Sequence, residues 1–231
     1  MGRKKYVIFT AAGSGTRMKA QEPKQFLLLK GRPVLMWSIL AFVKACPDVN
    51  VVTVLPAAHM ARWEELCIKY GLEIPQRIVK GGITRFHSVR NALKVIPDGA
   101  VVAIHDGVRP LVSQELIRTM FARMESCRAL IPVLPVTDTL KSLVKDASGR
   151  IVPSGEPDPD RSRVYGAQTP QIFLSEEIKA AYGLPFDTSY TDDASVAAKY
   201  GIPLSYIEGE RYNLKITTPD DLRLAEAILT L

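Results

Sequence analysis

The sequence predicts an α/β fold: a doubly wound, mostly parallel β-sheet with helices on both faces and an extended β-arm. Three observations predict it. Short apolar runs of strand length alternate with amphipathic segments of helix length, two of those runs end directly in glycine-bearing polar turns, and one stretch, 137–164, breaks the rhythm. The 231 residues, 47% of them hydrophobic, are enough to bury a sizeable core. Residues 1–231 are read as a single domain, with 137–164 as a protruding arm.

The first run, Tyr6-Val-Ile-Phe-Thr-Ala11, is apolar at successive positions and stops at glycines, as a strand buried on both faces does. Strands are expected again at 51–55, 77–80, 100–104 and 129–136. The apolar spacing between them predicts helices over 34–45, 58–70, 84–96 and 114–127. Segment 137–164 carries Asp146-Ala-Ser-Gly149 and a proline-rich stretch, and reads as two short strands about a turn. A ribbon of that length cannot enclose a core of its own, so it must lie on the sheet or reach another subunit. Helices over 175–182 and 192–200, a strand over 204–208 and a last helix capped near Thr218-Pro219 complete the chain.

Composition excludes several classes. No apolar run approaches the length of a membrane span, and no block of like charge suggests a disordered tail. Lys and Arg outnumber Asp and Glu by 30 to 24, a net charge of +6 that favours anionic partners. From Met1 to Lys24 six basic residues face one acid, Glu22. A nucleic-acid binder would interleave its cations with aromatic residues along one face, and that pattern is missing beyond the first residues, so neither nucleic acid nor membrane is expected as a partner. Cys46, Cys67 and Cys127 are odd in number and set in apolar helix-like surroundings, which suits reduced thiols and a cytoplasmic location.

The polar clusters at strand ends carry the chemistry. Ala11-Ala12-Gly13-Ser14-Gly15-Thr16-Arg17, followed by Pro23-Lys24-Gln25, lies on the first strand-to-helix connection, where open parallel sheets bind ligands. It is neither a Walker A loop nor a dinucleotide fingerprint, since Met18 stands where the third glycine belongs. Its backbone can aim N–H groups at a phosphate chain that Arg17 and Lys24 also approach; read alone, it equally admits a solvated loop. His105-Asp106-Gly107-Val108-Arg109 follows another apolar strand: Asp106 offers a hard oxygen ligand for nucleotide-bound Mg²⁺ and Arg109 an anion fork, or the two simply order the loop. His105 reads as a loop hydrogen-bonder. Gly81-Gly82, with Ser88, allows close backbone approach to a flat base, or forms a turn with Thr84 as helix cap. Thr139, Lys141, Thr169, Thr191 and Lys215 are polar islands among apolar strands. No Ser-His-Asp or Cys-His grouping is visible, and cations, hydroxyls and a carboxylate are the means of phosphate-transfer chemistry.

Together these segments resemble the 2-C-methyl-D-erythritol 4-phosphate cytidylyltransferases of the non-mevalonate isoprenoid pathway. The likeness runs from Val7 to Leu229. Ala-Ala-Gly-Ser-Gly-Thr-Arg-Met with Pro-Lys-Gln marks the wider nucleotidyltransferases; His-Asp-Gly-Val-Arg-Pro, Asp138-Thr-Leu-Lys, Gln168-Thr-Pro-Gln, Thr191-Asp-Asp-Ala-Ser and Lys215-Ile-Thr-Thr-Pro-Asp-Asp-Leu narrow it. The resemblance implies a Rossmann-like nucleotidyltransferase fold. It also implies a reaction joining CTP to 2-C-methyl-D-erythritol 4-phosphate with release of pyrophosphate, Mg²⁺ as cofactor, and a homodimer whose arms complete each other's sites. By position, Arg17 and Lys24 would stabilise the triphosphate as it is attacked. Ala11, Ala12, Gly13, Ser14, Gly15, Gly81, Gly82 and Ser88 would form the cytidine surface, and Asp106 would stand at the metal and ribose-phosphate region. Arg161 and Lys215 would hold the methylerythritol phosphate with Thr191 and, across the dimer, Arg109, Thr139 and Thr169. The chain departs from the pattern at Thr10, Ile83 and Gly107-Val108, where the family often has Pro, an acidic residue, and Ala-Ala or Gly-Ala. Rival readings are a ribitol-5-phosphate cytidylyltransferase, a non-catalytic basic nucleic-acid-binding domain and a Rossmann-type dehydrogenase; the missing third glycine disfavours the last.

Overall fold

The computed structural model describes residues 2–13 and 22–230. Ser14, Gly15 and Arg17 of the expected phosphate turn lie outside the described residues. The strands are β1 (Lys5–Thr10), β2 (Leu28–Leu29), β3 (Arg32–Pro33), β4 (Asn50–Leu55), β5 (Gln76–Lys80), β6 (Val101–Asp106), β7 (Ala129–Pro135), β8 (Leu143–Lys145), β9 (Ile151–Pro153), β10 (Tyr165–Ala167), β11 (Gln171–Leu174) and β12 (Ser205–Glu208). The helices are α1 (Val34–Ala45), α2 (Met60–Lys69), α3 (Arg85–Leu93), α4 (Gln114–Arg123), α5 (Ser175–Ala181), α6 (Asp193–Tyr200) and α7 (Pro219–Ile228).

Side-chain alternation along β1 sets the layering. Val7 and Phe9 point to one face and Ile8 to the other, all fully buried, so helices must cover the strand on both sides. On the Phe9 face, Phe42 of α1, Trp63 of α2 and Ile117 and Met120 of α4 form one core. On the Ile8 face, Val89 of α3, Ile178 of α5 and Val196 of α6 form the other. Strands β5, β4, β1 and β6 are parallel neighbours in that order, and β11 follows antiparallel to β6. β7 is antiparallel to β11 and carries β12 parallel to it, while β10 pairs antiparallel with the far end of β7. The chain leaves β1 for β4 on one side and later places β6 on the other, so the carboxyl end of β1 is a topological switch point, where a crevice opens.

The helix expected over 34–45 has those bounds. The one expected over 58–70 begins as a 3-10 turn, Ala57–His59, and those over 84–96 and 114–127 end early, at Leu93 and Arg123. Thr84 caps α3, Asp192 caps α6, and Thr218 caps α7 in a reciprocal box with Asp221. Three features were not expected: the ribbon β2–β3, and the strands β10 and β11. The ribbon turns through Lys30 and Gly31, both at positive φ, and buries Leu29 against Val34, Val108, Ile216 and Ala225 in a third small core.

Within 137–164, β8 and β9 pair with each other, and among the described residues no strand of the main sheet pairs with them. Leu143, Val144 and Ile151 of this ribbon are half exposed or more. Cys46, Cys67 and Cys127 are free thiols, and burial pushes all three above their ordinary range, Cys67 up to about 11. No helix among the described residues is long and apolar enough to cross a membrane.

The Phe9-side core hinges on Phe42, fully buried and edge-on to Phe9 at 5.3 Å. Phe42→Ala is expected to destabilise the fold by about 3–5 kcal/mol, read as a shift of the urea unfolding midpoint.

Candidate active site

Thr10 at the end of β1 is paired in register with Asp106 at the end of β6. The same alternation that buries Phe9 sends Asp106 to the α3 face and His105 to the opposite one. A cleft of about 390 Å³ opens there, lined by Thr10, Ala11, Ala12, Gly13, Lys24, Gln25, Gly82, Ile83, Thr84, Arg85, Ser88, Asp106, Val108 and Lys215.

Each wall is fixed by the local chain. Gln25 is buried and donates from Nε2 to the Ala11 carbonyl at 2.8 Å, which holds Lys24, on the 3-10 turn Lys24–Phe26, beside the end of β1. Ala11 N–H bonds to Val54 O and Gly81 N–H to Leu55 O, so the loops after β1 and β5 lie side by side. A Cβ on Gly81 would meet the Ala12 Cβ at 2.6 Å, and one on Gly82 the His87 Cβ at 2.4 Å; no other residue fits at either position. Ser88 accepts from Gly82 N–H and donates to Thr84 O, both at 3.0 Å, which locks the turn onto α3. Ile83, between this turn and its cap, is 96% exposed.

Asp106 is the electrostatic centre. It is nearly buried, with Lys215 Nζ at 3.0 Å and Arg109 Nε at 3.2 Å from Oδ2, and Arg85 Nε at 3.9 Å from Oδ1. Burial alone would raise its carboxyl, but Arg85, Lys215 and Arg109 outweigh that and hold it well below the ordinary carboxylate range. Lys215 is delivered by its neighbours: Ile216 N–H bonds to Val108 O, and the buried Asn213 donates to the Thr169 carbonyl and accepts at its own carbonyl from Arg109 Nη1. Thr169 is buried too. Its hydroxyl accepts from the Asp106 N–H at 3.0 Å and lies 3.2 Å from His105 Nδ1, while His105 Nε2 donates to Arg109 O at 3.1 Å. Because that carbonyl can only accept, the neutral ring carries its proton on Nε2 and Nδ1 accepts from Thr169. His105 thus lies beneath the cleft, against Phe9 and Phe42.

The model of the family described as IspD, 2-C-methyl-D-erythritol 4-phosphate cytidylyltransferase, matches residues 6–231. The chain belongs to this family. Relatives bearing the family's name occur in Porphyromonas gingivalis, 46% identical with 100% of each chain covered, and in Azobacteroides pseudotrichonymphae, 42% identical over 98% of this chain and 99% of the relative. Among solved structures, a 4-diphosphocytidyl-2C-methyl-D-erythritol synthase from Anaerococcus prevotii superposes with a TM-score of 0.79 at 29% identity, covering 100% of this chain and 97% of its own. The Thermus thermophilus cytidylyltransferase does so at 0.72 and 32% identity, covering 99% and 100%.

Of the residues that the family pattern singles out, Ala11, Ala12, Gly13, Lys24, Gly82, Ser88, Asp106 and Lys215 line one cleft, with Gly81 directly behind it. Arg109 and Thr169 meet Asp106 from below. Thr139, Arg161 and Thr191 do not line the cleft. The first two belong to 137–164, where Arg161 Nη1 donates to the Thr137 carbonyl at 2.9 Å. The sequence alone gives no individual role to Arg85, Asp193, Gln168, Gln171 or Asn213, although the last four stand in or beside quoted segments. Gln171 donates to Asp192 and accepts from Ala194 N–H, while Gln168 bonds Glu210 and Asn213, so the Gln-Thr-Pro-Gln segment ties α6 and the loop that carries Lys215 to the sheet. The paired glutamines of that segment were the available signal.

Burial pushes His105 down to about 4, against the pull of its bond to the Arg109 carbonyl and of Asp106. An imidazole is half-protonated near 6.5 in an unfolded chain, so the neutral buried ring stabilises the fold fully above that pH. Its contribution is lost as pH falls from about 6.5 to about 4, about 3 kcal/mol in all. Asp106, depressed below its unfolded value, adds a separate loss only below about pH 4. Urea unfolding at intervals from pH 7 to 4 is expected to show that decline, and His105→Gln to remove most of its slope.

Proposed function

We propose that this chain transfers a cytidylyl group from CTP to 2-C-methyl-D-erythritol 4-phosphate, giving 4-diphosphocytidyl-2-C-methyl-D-erythritol and pyrophosphate. The observation that carries the reading is the gathering of Lys24, Lys215 and the glycine turns around Asp106 at the sheet's switch point, in a cleft that no His or Cys lines among the described residues. The substrate's phosphate is an anion at neutral pH and needs no deprotonation to attack. Catalysis then consists of holding two anions in line and offsetting the charge that grows on the leaving pyrophosphate.

In this reading the turn from Ala11 to Gly15 and the Gly81-Gly82 turn with Ser88 receive the nucleotide, and Arg17 and Lys24 draw charge from the triphosphate. Lys215, with Arg161 and Thr191, holds the methylerythritol phosphate. Asp106 fits Mg²⁺ as a single protein ligand: no group of three or more His, Cys, Asp or Glu is gathered among the described residues, and Mg²⁺ on a nucleotide takes its remaining ligands from phosphates and water. When bound there, the ion would neutralise triphosphate charge. Arg109 and Thr169, already engaged by Asp106 and His105 in their own chain, enter as supports of the carboxylate.

Arg161 and Thr139 do not line the cleft of their own chain, and the reading has 137–164 extend to a second copy, forming a homodimer through this arm. The exposed Leu143, Val144 and Ile151 supply an apolar contact for it. Neutral, burial-raised thiols suit a reducing cytoplasm.

Pyrophosphate release with CTP and Mg²⁺, offered methylerythritol phosphate and ribitol 5-phosphate in parallel, tests the reaction. Turnover with the first and little with the second is expected; turnover of neither would sink the reading. Lys24→Ala should lower kcat by ~10²-fold or more while the thermal midpoint stays within about 2 °C, because the half-buried Lys24 lines the cleft and belongs to none of the hydrophobic cores. Leu143→Glu with Ile151→Glu should give a monomer by sedimentation and abolish most turnover. A fully active monomer would refute the shared site.

A further inference from the structure

Asp193, on the first turn of α6, is fully buried, and Arg85 opens α3 across from it. Arg85 Nη1 and Nη2 bond the two oxygens of Asp193 at 2.8 and 2.6 Å, and the Tyr182 hydroxyl donates to the same carboxylate. A buried ion pair of this kind is a poor source of stability, since its desolvation cost often cancels the attraction and an apolar pair of similar volume does as well. Its geometry offers another reason for its presence. With both terminal nitrogens engaged, Arg85 is held against the cleft wall, its Nε edge 3.9 Å from Asp106 Oδ1.

Asp106 needs such a fixed charge. Its Oδ2 is held by Arg109 and Lys215, whereas among the described residues Oδ1 meets the Thr10 hydroxyl at 3.4 Å and Arg85. The χ2 torsion of an aspartate is broad, so two cations on one oxygen would otherwise turn the carboxylate toward themselves. We infer that Arg85, clamped by Asp193, is a positioning residue that keeps Asp106 Oδ1 presented to the cleft. It touches no reacting atom, and the inference rests on the cleft being the site of cytidylyl transfer.

The decisive variant is the double replacement Arg85→Met with Asp193→Leu, studied in the full chain. Removing both charges leaves no orphaned ion, only the Tyr182 hydroxyl without its acceptor, so the thermal midpoint is expected within about 8 °C of wild type. Turnover should still fall, with kcat lower by about 10²-fold, the KM for methylerythritol phosphate within about threefold, and CTP binding by calorimetry weakened about tenfold. Arg85→Lys keeps the charge but cannot bond both oxygens of Asp193 and face Asp106 as well, and should lose about tenfold in kcat. A stable double variant with kcat within about threefold of wild type would overturn the inference. If the double variant does not fold, wild-type kcat in Arg85→Lys overturns it equally. A wild type that binds CTP without turning over would refute cytidylyl transfer alone, leaving the calorimetry to judge Arg85; a wild type that does neither refutes both.

Discussion

A carboxylate withdrawn from water at the end of a β-strand is tolerable only if opposite charge comes to meet it, and much of this protein's architecture brings charge to Asp106. Arg109 arrives from the loop that follows β6 itself. Lys215 arrives from a segment over a hundred residues later, carried by the Ile216–Val108 backbone bond and by the small core that Ile216 shares with Leu29 and Ala225. Arg85 arrives from the opposite side, at the head of α3. Three pieces of chain, two of them remote, share one anchor, and the desolvation cost of that anchor falls when all three are in place.

The two neighbours at the end of β6 divide the labour by parity. Asp106 turns to the cleft and His105 to the aromatic core, so a residue pair that looks in sequence like an acid beside a base is split between two faces of the sheet. His105 spends both ring nitrogens on structural bonds, one to the loop carbonyl of Arg109 and one to Thr169, and Thr169 in turn receives the backbone N–H of Asp106. The core therefore reaches the cleft through a continuous chain of hydrogen bonds.

What was legible in the sequence follows from locality. Apolar runs such as Val51–Leu55 and periodic stretches such as Val34–Ala45 declare themselves because burial on two faces, or along one stripe, leaves a short-range pattern. The ribbon β2–β3 has two residues per strand and leaves none. Strand β11 is four residues between Pro170 and the start of α5, and its antiparallel insertion between β6 and β7 depends on partners far along the chain. The cleft was readable where glycine turns and charged residues follow strands directly, as at Gly81-Gly82 and Asp106. Arg85 and Asp193 were not, because they lie 108 residues apart and only the packing of α3 against the α5–α6 layer brings them together. Thr169 is a case between the two: its segment was singled out, but its place beneath Asp106 is a product of the β6–β11 pairing.

The tight packing of the turn before α3 also restricts how this surface can change. At 81 and 82 any side chain would collide with Ala12 or His87, so these positions are closed to substitution, whereas Ile83 projects from the same turn almost wholly into solvent. The turn is a rigid frame with one open socket. Character at that socket, apolar here, can be exchanged for charge or hydroxyl without disturbing the backbone of the turn, which makes position 83 the simplest one on this wall to edit by design.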